Sequence, residues 1–164
     1  VLGYLRTENI SSVLSLSIYT LDKNIREQSH RYAGIFISKK LSLTYDGTDE
    51  TVLTDEKWLG FVIGQILSNS LKYTKDGGIK IYVQNGTLLI EDTGIGIRSE
   101  DLPRVFEKGY TGINGRDDRH ATGIGLYLCK KILNRLGHNI SIESEEEKGT
   151  HVLIRFPQEN LTLY

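Results

Sequence analysis

The residues best suited to chemistry are a carboxylate and two glycines at the end of an apolar run. Asp92 follows the apolar residues 88–90, and Gly94 and Gly96 come directly after it. A carboxylate at the end of a buried strand can accept a hydrogen bond from a ligand amino group, and nearby glycines let that ligand approach the backbone. Asp-x-Gly-x-Gly alone is common in turns. A calcium loop is excluded because no further acidic residues follow Asp92 at alternate positions.

A polar helix face precedes this carboxylate in the chain. Gln65 and Asn69 are one turn apart, and Lys72 and Tyr73 follow one turn later, so all four share one face of a predicted helix. An asparagine oxygen suits Mg²⁺, which usually takes its other ligands from water and phosphate, and a lysine one turn further can meet phosphate charge. A solvated polar face is the alternative unless the glycine motifs belong to the same site.

A second glycine-rich turn follows later. The sequence TGIGL, residues 122–126, opens a predicted helix that ends at Leu136, before Gly137 in a C-cap position. Free backbone amides at such a helix start form an anion site. The pattern is neither a P-loop, since no Gly-Lys-Ser/Thr follows, nor a dinucleotide fingerprint, since the third glycine is absent. Residues 107–121, between the two turns, are interpreted as a mobile lid, with an ordinary surface loop as the alternative.

The remaining elements must position these groups. Asn85 and Gly86 form a strong hairpin signal, which delivers Asp92 to the pocket. Thr54 is interpreted as the N-cap of the helix that carries Asn69. Periodicity and turn residues predict strands at 12–19, 41–45, 51–53, 78–84, 87–92, 139–144 and 150–156, helices at 21–39, 55–74 and 122–136, a helical turn at 98–102 that stops before Pro103, and a solvated acidic turn at 145–147.

Composition limits the other possibilities. The 164 residues have a net charge of −1 and no long basic run, so we expect no nucleic-acid partner. The single cysteine, Cys129, lies in an apolar helical pattern and is interpreted as core. The chain has no methionine, so we expect a piece of a longer protein. No spacing suitable for a metal site relates the four histidines, His30, His120, His138 and His151.

Four motifs in this order resemble the ATP-binding catalytic domain of bacterial sensor histidine kinases, within the wider group of gyrase, heat-shock and mismatch-repair ATPases. QILSNSLKYT resembles the N box, EDTGIGI the first Gly box, VFEKGYTG the F box and TGIGLYL the second Gly box. The resemblance covers residues 12–157. TDEKWLGFVIGQILSNSLKYT and VFEKGYTGINGR look most like the intramembrane-sensing kinases of Gram-positive bacteria that respond to bacitracin and antimicrobial peptides.

The resemblance implies roles for individual residues. Asn69 would hold Mg²⁺, and Asp92 would take the adenine amino group of ATP. Lys72 and Lys108 would contact phosphates, and Tyr73 would pack on the adenine. Asn69, Lys72 and Gln65 form the implied catalytic set. The implied nucleotide-binding set is Asn69, Lys72, Tyr73, Asp92, Gly94, Gly96, Ile97, Lys108, Gly109, Thr122, Gly123, Gly125, Leu126 and Thr150.

The resemblance also implies the fold and the partners. We expect an α+β fold of the Bergerat type, a two-layer α/β sandwich whose mixed, mostly antiparallel sheet is covered on one face by helices. Residues 1–11 would end a dimerisation helix, residues 12–157 would form the catalytic domain, and residues 158–164 would be a tail. The expected partners are the dimerisation and histidine-phosphotransfer domain, a response regulator, and a transporter complex reached through a membrane part. The expected location is the cytoplasmic side of a membrane-anchored parent.

Two departures from the family pattern bear on the reaction. Many N boxes have Asn where this chain has Gln65, and no histidine here is followed by the acidic residue and proline of a phosphoacceptor box. We therefore expect a chain that binds ATP without phosphorylating itself. The alternatives are an ATPase or conformational machine of the same superfamily, and a degenerate nucleotide-binding adaptor. Hydrolases of the group place Glu at the position of Gln65, and an amide is not a base at neutral pH.

Overall fold

The computed structural model describes residues 14–110 and 125–157. In chain order these form β1 (Ser17–Thr20), α1 (Leu21–Arg31), α2 (Ala33–Lys39), β2 (Ser42–Thr44), β3 (Thr51–Thr54), α3 (Glu56–Tyr73), β4 (Gly78–Gln84), β5 (Thr87–Asp92), a 3₁₀ turn (Leu102–Arg104), α4 (Gly125–Leu136), β6 (Asn139–Glu145) and β7 (Gly149–Arg155). Within the described residues, no helix is both long and apolar enough to cross a membrane.

A five-stranded sheet is the frame of the fold. Its order is β2-β4-β5-β7-β6, with β2 parallel to β4 and every other pair antiparallel, while β1 and β3 form a separate antiparallel pair. One face of the large sheet is apolar and joins the buried faces of α1, α3 and α4 in one core. That face carries Ile79, Ile81, Leu88, Ile90, Val152 and Ile154. The predicted α+β sandwich with a mixed, mostly antiparallel sheet is confirmed.

The β4–β5 hairpin has the predicted turn. Asn85 and Gly86 have φ of 51° and 75°, the left-handed pair of a type I′ turn, which matches the twist of the two strands. The register pairs Gln84 with Thr87 and Ile79 with Asp92. Asp92 is therefore carried to the far end of a central strand.

The N-cap prediction for α3 was wrong by one residue. Asp55 is the cap, and its Oδ1 accepts a hydrogen bond from the Trp58 backbone N–H at 3.1 Å. Its second oxygen accepts from the Ser15 N–H at 2.8 Å. Thr54 instead ends β3, and its buried hydroxyl lies 3.0 Å from His138 Nε2. A carboxylate also suits the positive end of the helix dipole better than a hydroxyl.

The predicted helix over residues 21–39 is two helices. Tyr32, with φ −97° and ψ 7°, separates α1 from α2. The buried face of α1 is followed in α2 by Phe36, whereas Ile37 is 77% exposed. Because the helix is interrupted at Tyr32, the apolar spacing of α1 does not continue onto the buried side of α2.

Smaller boundaries also differ from prediction. β1 begins at Ser17 instead of residue 12, although residues 12 and 13 are outside the described part. Pro103 lies within the 3₁₀ turn instead of after it. Proline is tolerated in the first turn of a helix because the N–H it lacks would have no partner there.

Candidate functional site

The Asp92 carboxylate is the best-defined group of the site. It is 8% exposed, and its Oδ1 accepts hydrogen bonds from the backbone N–H groups of Gly94 at 2.9 Å and Thr150 at 3.2 Å. The hydroxyl of the buried Ser70 also lowers the pKa of this carboxyl group. Burial raises the pKa of Asp92 above its usual value, and these hydrogen bonds oppose that change. The site thus holds a desolvated carboxylate in one orientation.

Gly94 lets the turn after β5 pack tightly on the end of α3. A Cβ at this position would lie 2.5 Å from the Tyr73 carbonyl oxygen and 2.9 Å from both Thr74 Oγ1 and Asp92 Oδ1. The Ile95 N–H donates to the same Tyr73 carbonyl at 3.0 Å. Glycine is therefore required by space, and the turn is fixed to the last residues of α3.

The turn between β6 and β7 supports the same loop from the other side. The Glu147 N–H donates to the Ile95 carbonyl at 2.7 Å. Gly96 has φ of 74°, and a Cβ on it would collide with the Glu145 carbonyl oxygen. The acidic residues are exposed, as the sequence indicated. Their backbone nevertheless supports the glycine loop, which the sequence did not reveal.

Ser144 connects this support to Thr150. Its hydroxyl accepts from the Ile97 N–H at 2.8 Å, donates to the Gly149 carbonyl at 2.9 Å, and lies 2.8 Å from Thr150 Oγ1. The Thr150 N–H in turn binds Asp92. Ile97 and Thr150, both in the implied set, are thus joined to the carboxylate by one chain of contacts.

The α3 face predicted from sequence lies beside this loop. Asn69 and Gln65 are half-buried, and Asn69 directly precedes the buried Ser70. Lys72 is exposed, with its ammonium 5.3 Å from the centroid of the half-buried Tyr73 ring. The α3 residues implied in metal and base binding therefore lie in the last turns of the helix, whose Tyr73 carbonyl accepts from the Ile95 N–H of the glycine loop.

The start of α4 faces α3. Gln65 Oε1 lies 3.2 Å from the position that a Cβ on Gly125 would occupy. Leu126, the next residue, is half-buried. Thr122 and Gly123 lie outside the described residues, so the predicted anion-binding turn is described only from Gly125 onward.

The segment after the 3₁₀ turn runs along α4. The Lys108 ammonium is 5.7 Å from the centroid of the Tyr127 ring, and the Lys130 ammonium is 4.9 Å from that of the Phe106 ring. Gly109 has φ of 82°. Lys108 and Gly109 are therefore near the first turn of the helix that the second Gly box opens. Residues 111–121 of the predicted lid lie outside the described residues.

Sequence reasoning missed Ser70 and Ser144. Ser70 is four residues after Ile66 and so continues the buried stripe of α3, where a hydroxyl needs a partner. That position was a usable signal. Nothing local marks Ser144, because its partners come from two other segments.

The remaining candidate side chains lie in other surroundings. Cys129 is fully buried in the core, as predicted, and burial raises the pKa of its thiol to about 12. His138 is buried against the Phe156 ring, and burial lowers its pKa to about 4. His151 Nδ1 is 3.6 Å from Glu91 Oε2 on the open face of the sheet. No group of three His, Cys, Asp or Glu residues within the described chain could hold a metal ion.

A helix-covered sheet with a buried carboxylate and a glycine turn at one strand end defines a class of nucleotide-binding ATPases. The family described as histidine kinase-, DNA gyrase B-, and HSP90-like ATPase matches residues 54–160. The chain belongs to this family.

Similar proteins within the family are sensor histidine kinases. The chain is 44% identical over 131 residues to the sensor histidine kinase GraS of Staphylococcus haemolyticus, covering 76% of this chain and 38% of the relative. It is 38% identical over 161 residues to the sensor protein BceS of Halalkalibacterium halodurans, covering 96% and 45%. For the sensor histidine kinase YxdK of Bacillus subtilis the identity is 42% over 114 residues, covering 66% and 35%. The chain thus spans less than half the length of these relatives. The resemblance to sensor kinases of Gram-positive bacteria is confirmed.

Solved histidine kinases share the fold. Full-length ShkA in complex with AMPPNP aligns with a TM-score of 0.79 at 20% identity, covering 95% of this chain and 34% of that one. The nucleotide-free catalytic domain of ThkA aligns with a TM-score of 0.73 at 22% identity, covering 87% and 95%. At these identities the similarity establishes the fold alone.

Proposed function

We propose that this chain binds Mg²⁺-ATP and transfers its γ-phosphoryl group to a histidine on a dimerisation domain, for onward signalling to a response regulator. The observation that carries the proposal is the Asp92 carboxylate, buried and held by two backbone N–H groups at the end of β5. A buried carboxylate is a suitable acceptor for the exocyclic amino group of adenine. The hydrogen bond from that amino group would be charge-assisted and shielded from water.

The residues present fit a magnesium ion shared with a nucleotide. Asn69 offers a neutral oxygen on a half-buried part of α3, one helical turn after Gln65. Mg²⁺ usually keeps waters and takes one or two protein ligands together with substrate phosphates, so a single amide oxygen is a sufficient protein contribution. When bound, the ion would neutralise charge on the phosphates.

The groups proposed to contact the nucleotide phosphates are two lysines and the start of α4. Lys72 follows Asn69 on α3, and Lys108 lies near the first turn of α4. A helix start favours negative charge. In the proposed transfer, the bond from the γ-phosphorus to the oxygen bridging the β-phosphate breaks, a P–N bond to the unprotonated imidazole nitrogen forms, and ADP leaves.

Gln65 favours the kinase over the ATPase alternative. It lies one helical turn before Asn69 on α3 and beside the start of α4, where its amide oxygen is 3.2 Å from the Cβ position of Gly125. A hydrolase needs a base to activate water, and an amide cannot take up a proton at neutral pH. The site can therefore position a triphosphate without promoting its hydrolysis.

The test supplies the acceptor separately. The chain is mixed with γ-labelled ATP and a dimerisation fragment bearing an acceptor histidine, and acid-labile, base-stable label is followed on each partner. We expect label on the acceptor only, at a rate that rises with fragment concentration because no tether raises the local concentration. Stable label on the chain itself, or rapid ATP hydrolysis without acceptor, would favour the ATPase alternative.

A pair of variants distinguishes loss of the proposed metal ligand from a general loss of folded protein. Asn69→Ala should abolish transfer, whereas Asn134→Ala, which removes an exposed asparagine from α4, should leave it unchanged. Equal loss in both variants would show that the effect comes from the fold. Full activity in both would remove Asn69 from the mechanism.

A further inference from the structure

Two contacts between a lysine and an aromatic ring join the segment after the 3₁₀ turn to α4. The Lys108 ammonium lies 5.7 Å from the centroid of the Tyr127 ring on α4, and the Lys130 ammonium of α4 lies 4.9 Å from the centroid of the Phe106 ring. Each element thus contributes one ring and one cation. Tyr127 is half-buried, lies outside the hydrophobic core, and is absent from the nucleotide-binding set that the resemblance implies.

We infer that Tyr127 is a positioning residue for Lys108, whose ammonium its ring holds at the first turn of α4, where the phosphates of a nucleotide would lie. The inference rests on the proposed function, which assigns Lys108 and the start of α4 to the phosphates. Tyr127 itself does not need to touch the ligand. It acts by keeping a cation in place before the ligand arrives.

The position of Tyr127 on α4 brings its ring to the helix start. Tyr127 is the third residue of α4, which begins at Gly125. Side chains on an α-helix lean toward its N-terminus, so the Tyr127 ring covers the first turn. Lys130 follows three residues later on the same face, so both contacts lie on one side of α4. Lys108 is therefore held beside the end of the helix at which backbone N–H groups have no partner within the helix.

The charge at the start of α4 by itself opposes a nearby lysine. The helix dipole places partial positive charge at this end, and Lys130 adds a full positive charge one turn later. The face of an aromatic ring carries partial negative charge and attracts an ammonium group within about 6 Å. Tyr127 therefore supplies an attraction that offsets this repulsion. Because an ammonium group has three N–H bonds, Lys108 can face the ring and still donate to a phosphate oxygen.

The segment that carries Lys108 is held together by polar contacts at the surface. Arg104 pairs with Glu107 at 3.2 Å, and its guanidinium carbon lies 4.4 Å from the centroid of the Tyr110 ring. None of residues 101–110 is buried. Since no side chain of this segment enters the core, contacts at its surface can determine where Lys108 lies.

Two substitutions at Tyr127 separate the ring from the hydroxyl, because Tyr127→Leu removes the ring and Tyr127→Phe keeps it. Leucine is a good helix former and Tyr127 is only half-buried, so the leucine variant should fold. The matched control is Tyr82→Leu in β4. It removes a contact of the same kind, since the Lys80 ammonium lies 5.0 Å from the centroid of the half-buried Tyr82 ring on the open face of the sheet.

The first measurement needs no nucleotide. The ε-methylene protons of Lys108 are followed by NMR, with Lys108→Met to assign the signal. The ring current of Tyr127 should shift these protons upfield. We expect this shift in wild type, Tyr127→Phe and Tyr82→Leu, and its loss in Tyr127→Leu. Identical Lys108 signals in wild type and Tyr127→Leu would overturn the inference.

The second measurement compares the binding of ATP and adenosine in the presence of a chelator, so that the metal site does not contribute. An exposed cation–π contact corresponds to a roughly 2- to 5-fold change in an equilibrium constant. We expect Tyr127→Leu to weaken ATP binding by a factor in this range and to leave adenosine binding unchanged, because adenosine has no phosphate. Tyr127→Phe and Tyr82→Leu should bind both ligands as wild type does.

A double variant tests whether Tyr127 acts through Lys108. In a Lys108→Met background, Tyr127→Leu should have no further effect on ATP affinity. A full additional loss in that background, an equal loss for adenosine, or tighter ATP binding in Tyr127→Leu would each contradict the inference. If wild type binds neither ligand, the proposed function is wrong and the inference falls with it, whereas absence of the ring contact would leave the proposed function standing.

Discussion

Replacing Asp92 with asparagine should separate ligand binding from stability. Asparagine has nearly the same shape, and its Oδ1 can continue to accept from the Gly94 and Thr150 N–H groups that now bind the carboxylate at 2.9 Å and 3.2 Å. Its amide N–H₂ is a donor, however, and would face the amino group of an adenine. Losing a charge-assisted hydrogen bond costs about 1.5–3 kcal/mol, or a roughly 10- to 150-fold loss of affinity.

The same substitution should leave the free protein equally stable or more stable at pH 7. Burial raises the pKa of Asp92 in the folded state above the unfolded value of 3.8. The folded state therefore carries an energetic penalty at every pH above the folded pKa, and the penalty disappears as the pH falls through that pKa toward 3.8. The stability advantage of Asp92→Asn should accordingly shrink on acidification.

Calorimetric titration with ATP and urea unfolding at two pH values measure both effects. Asp76→Asn, which neutralises an exposed aspartate in the loop before β4, is the matched control and should change neither quantity appreciably. Unchanged ATP affinity in Asp92→Asn would refute the assignment of adenine to Asp92. A large loss of stability at pH 7 would instead show that the charge itself holds the loop, against the reasoning given for its burial.

Three further predictions concern the metal, the glycine turn and a buried histidine. Asn69→Ala should remove the difference between ATP affinities measured with and without Mg²⁺; a difference as large as in wild type would mean that another residue holds the ion. Gly94→Ala should destabilise the fold by about 1–3 kcal/mol because its Cβ meets the Tyr73 carbonyl at 2.5 Å, whereas Gly34→Ala in α2, with no atom within 4 Å, should stabilise it by about 0.5–1 kcal/mol in urea unfolding. Burial lowers the pKa of His138 from 6.5 to about 4, so the unfolded state binds more protons between these values and stability should fall by up to about 3 kcal/mol from pH 6.5 to pH 4. Urea unfolding of His138→Gln should show a flatter pH profile, and a profile as steep as wild type would contradict this.

Local signals were sufficient to predict most of the elements. The Asn85-Gly86 pair specifies a two-residue turn whatever surrounds it, and the resulting strands match the prediction at both ends. The 3.6-residue periodicity of α3 and the glycine after α4 likewise depend only on residues close together in the chain. Elements determined by such local residues can be predicted from a single sequence.

The errors arose where the outcome depends on distant segments. Whether Thr54 or Asp55 caps α3 is decided partly by the Ser15 N–H and by His138, which are 40 and 84 residues away from their partners. The hydrogen bond from the Thr150 N–H to Asp92 depends on the register between β5 and β7, and no motif near either residue specifies that register. The motifs lead to a proposed site, but the contacts that orient Asp92 could not be predicted from them.

The turn between β6 and β7 contacts Ile95 and Gly96 of the glycine loop through its backbone. The Glu147 N–H and the Ile95 carbonyl form a bond that does not depend on either side chain, and the Gly96 contact involves the Glu145 carbonyl. The turn therefore works as a spacer, in which the number of residues matters more than the charge of their side chains. Replacing its acidic side chains would change the charge beside the loop without altering the loop's shape, whereas inserting one residue would displace the loop and leave the charge intact.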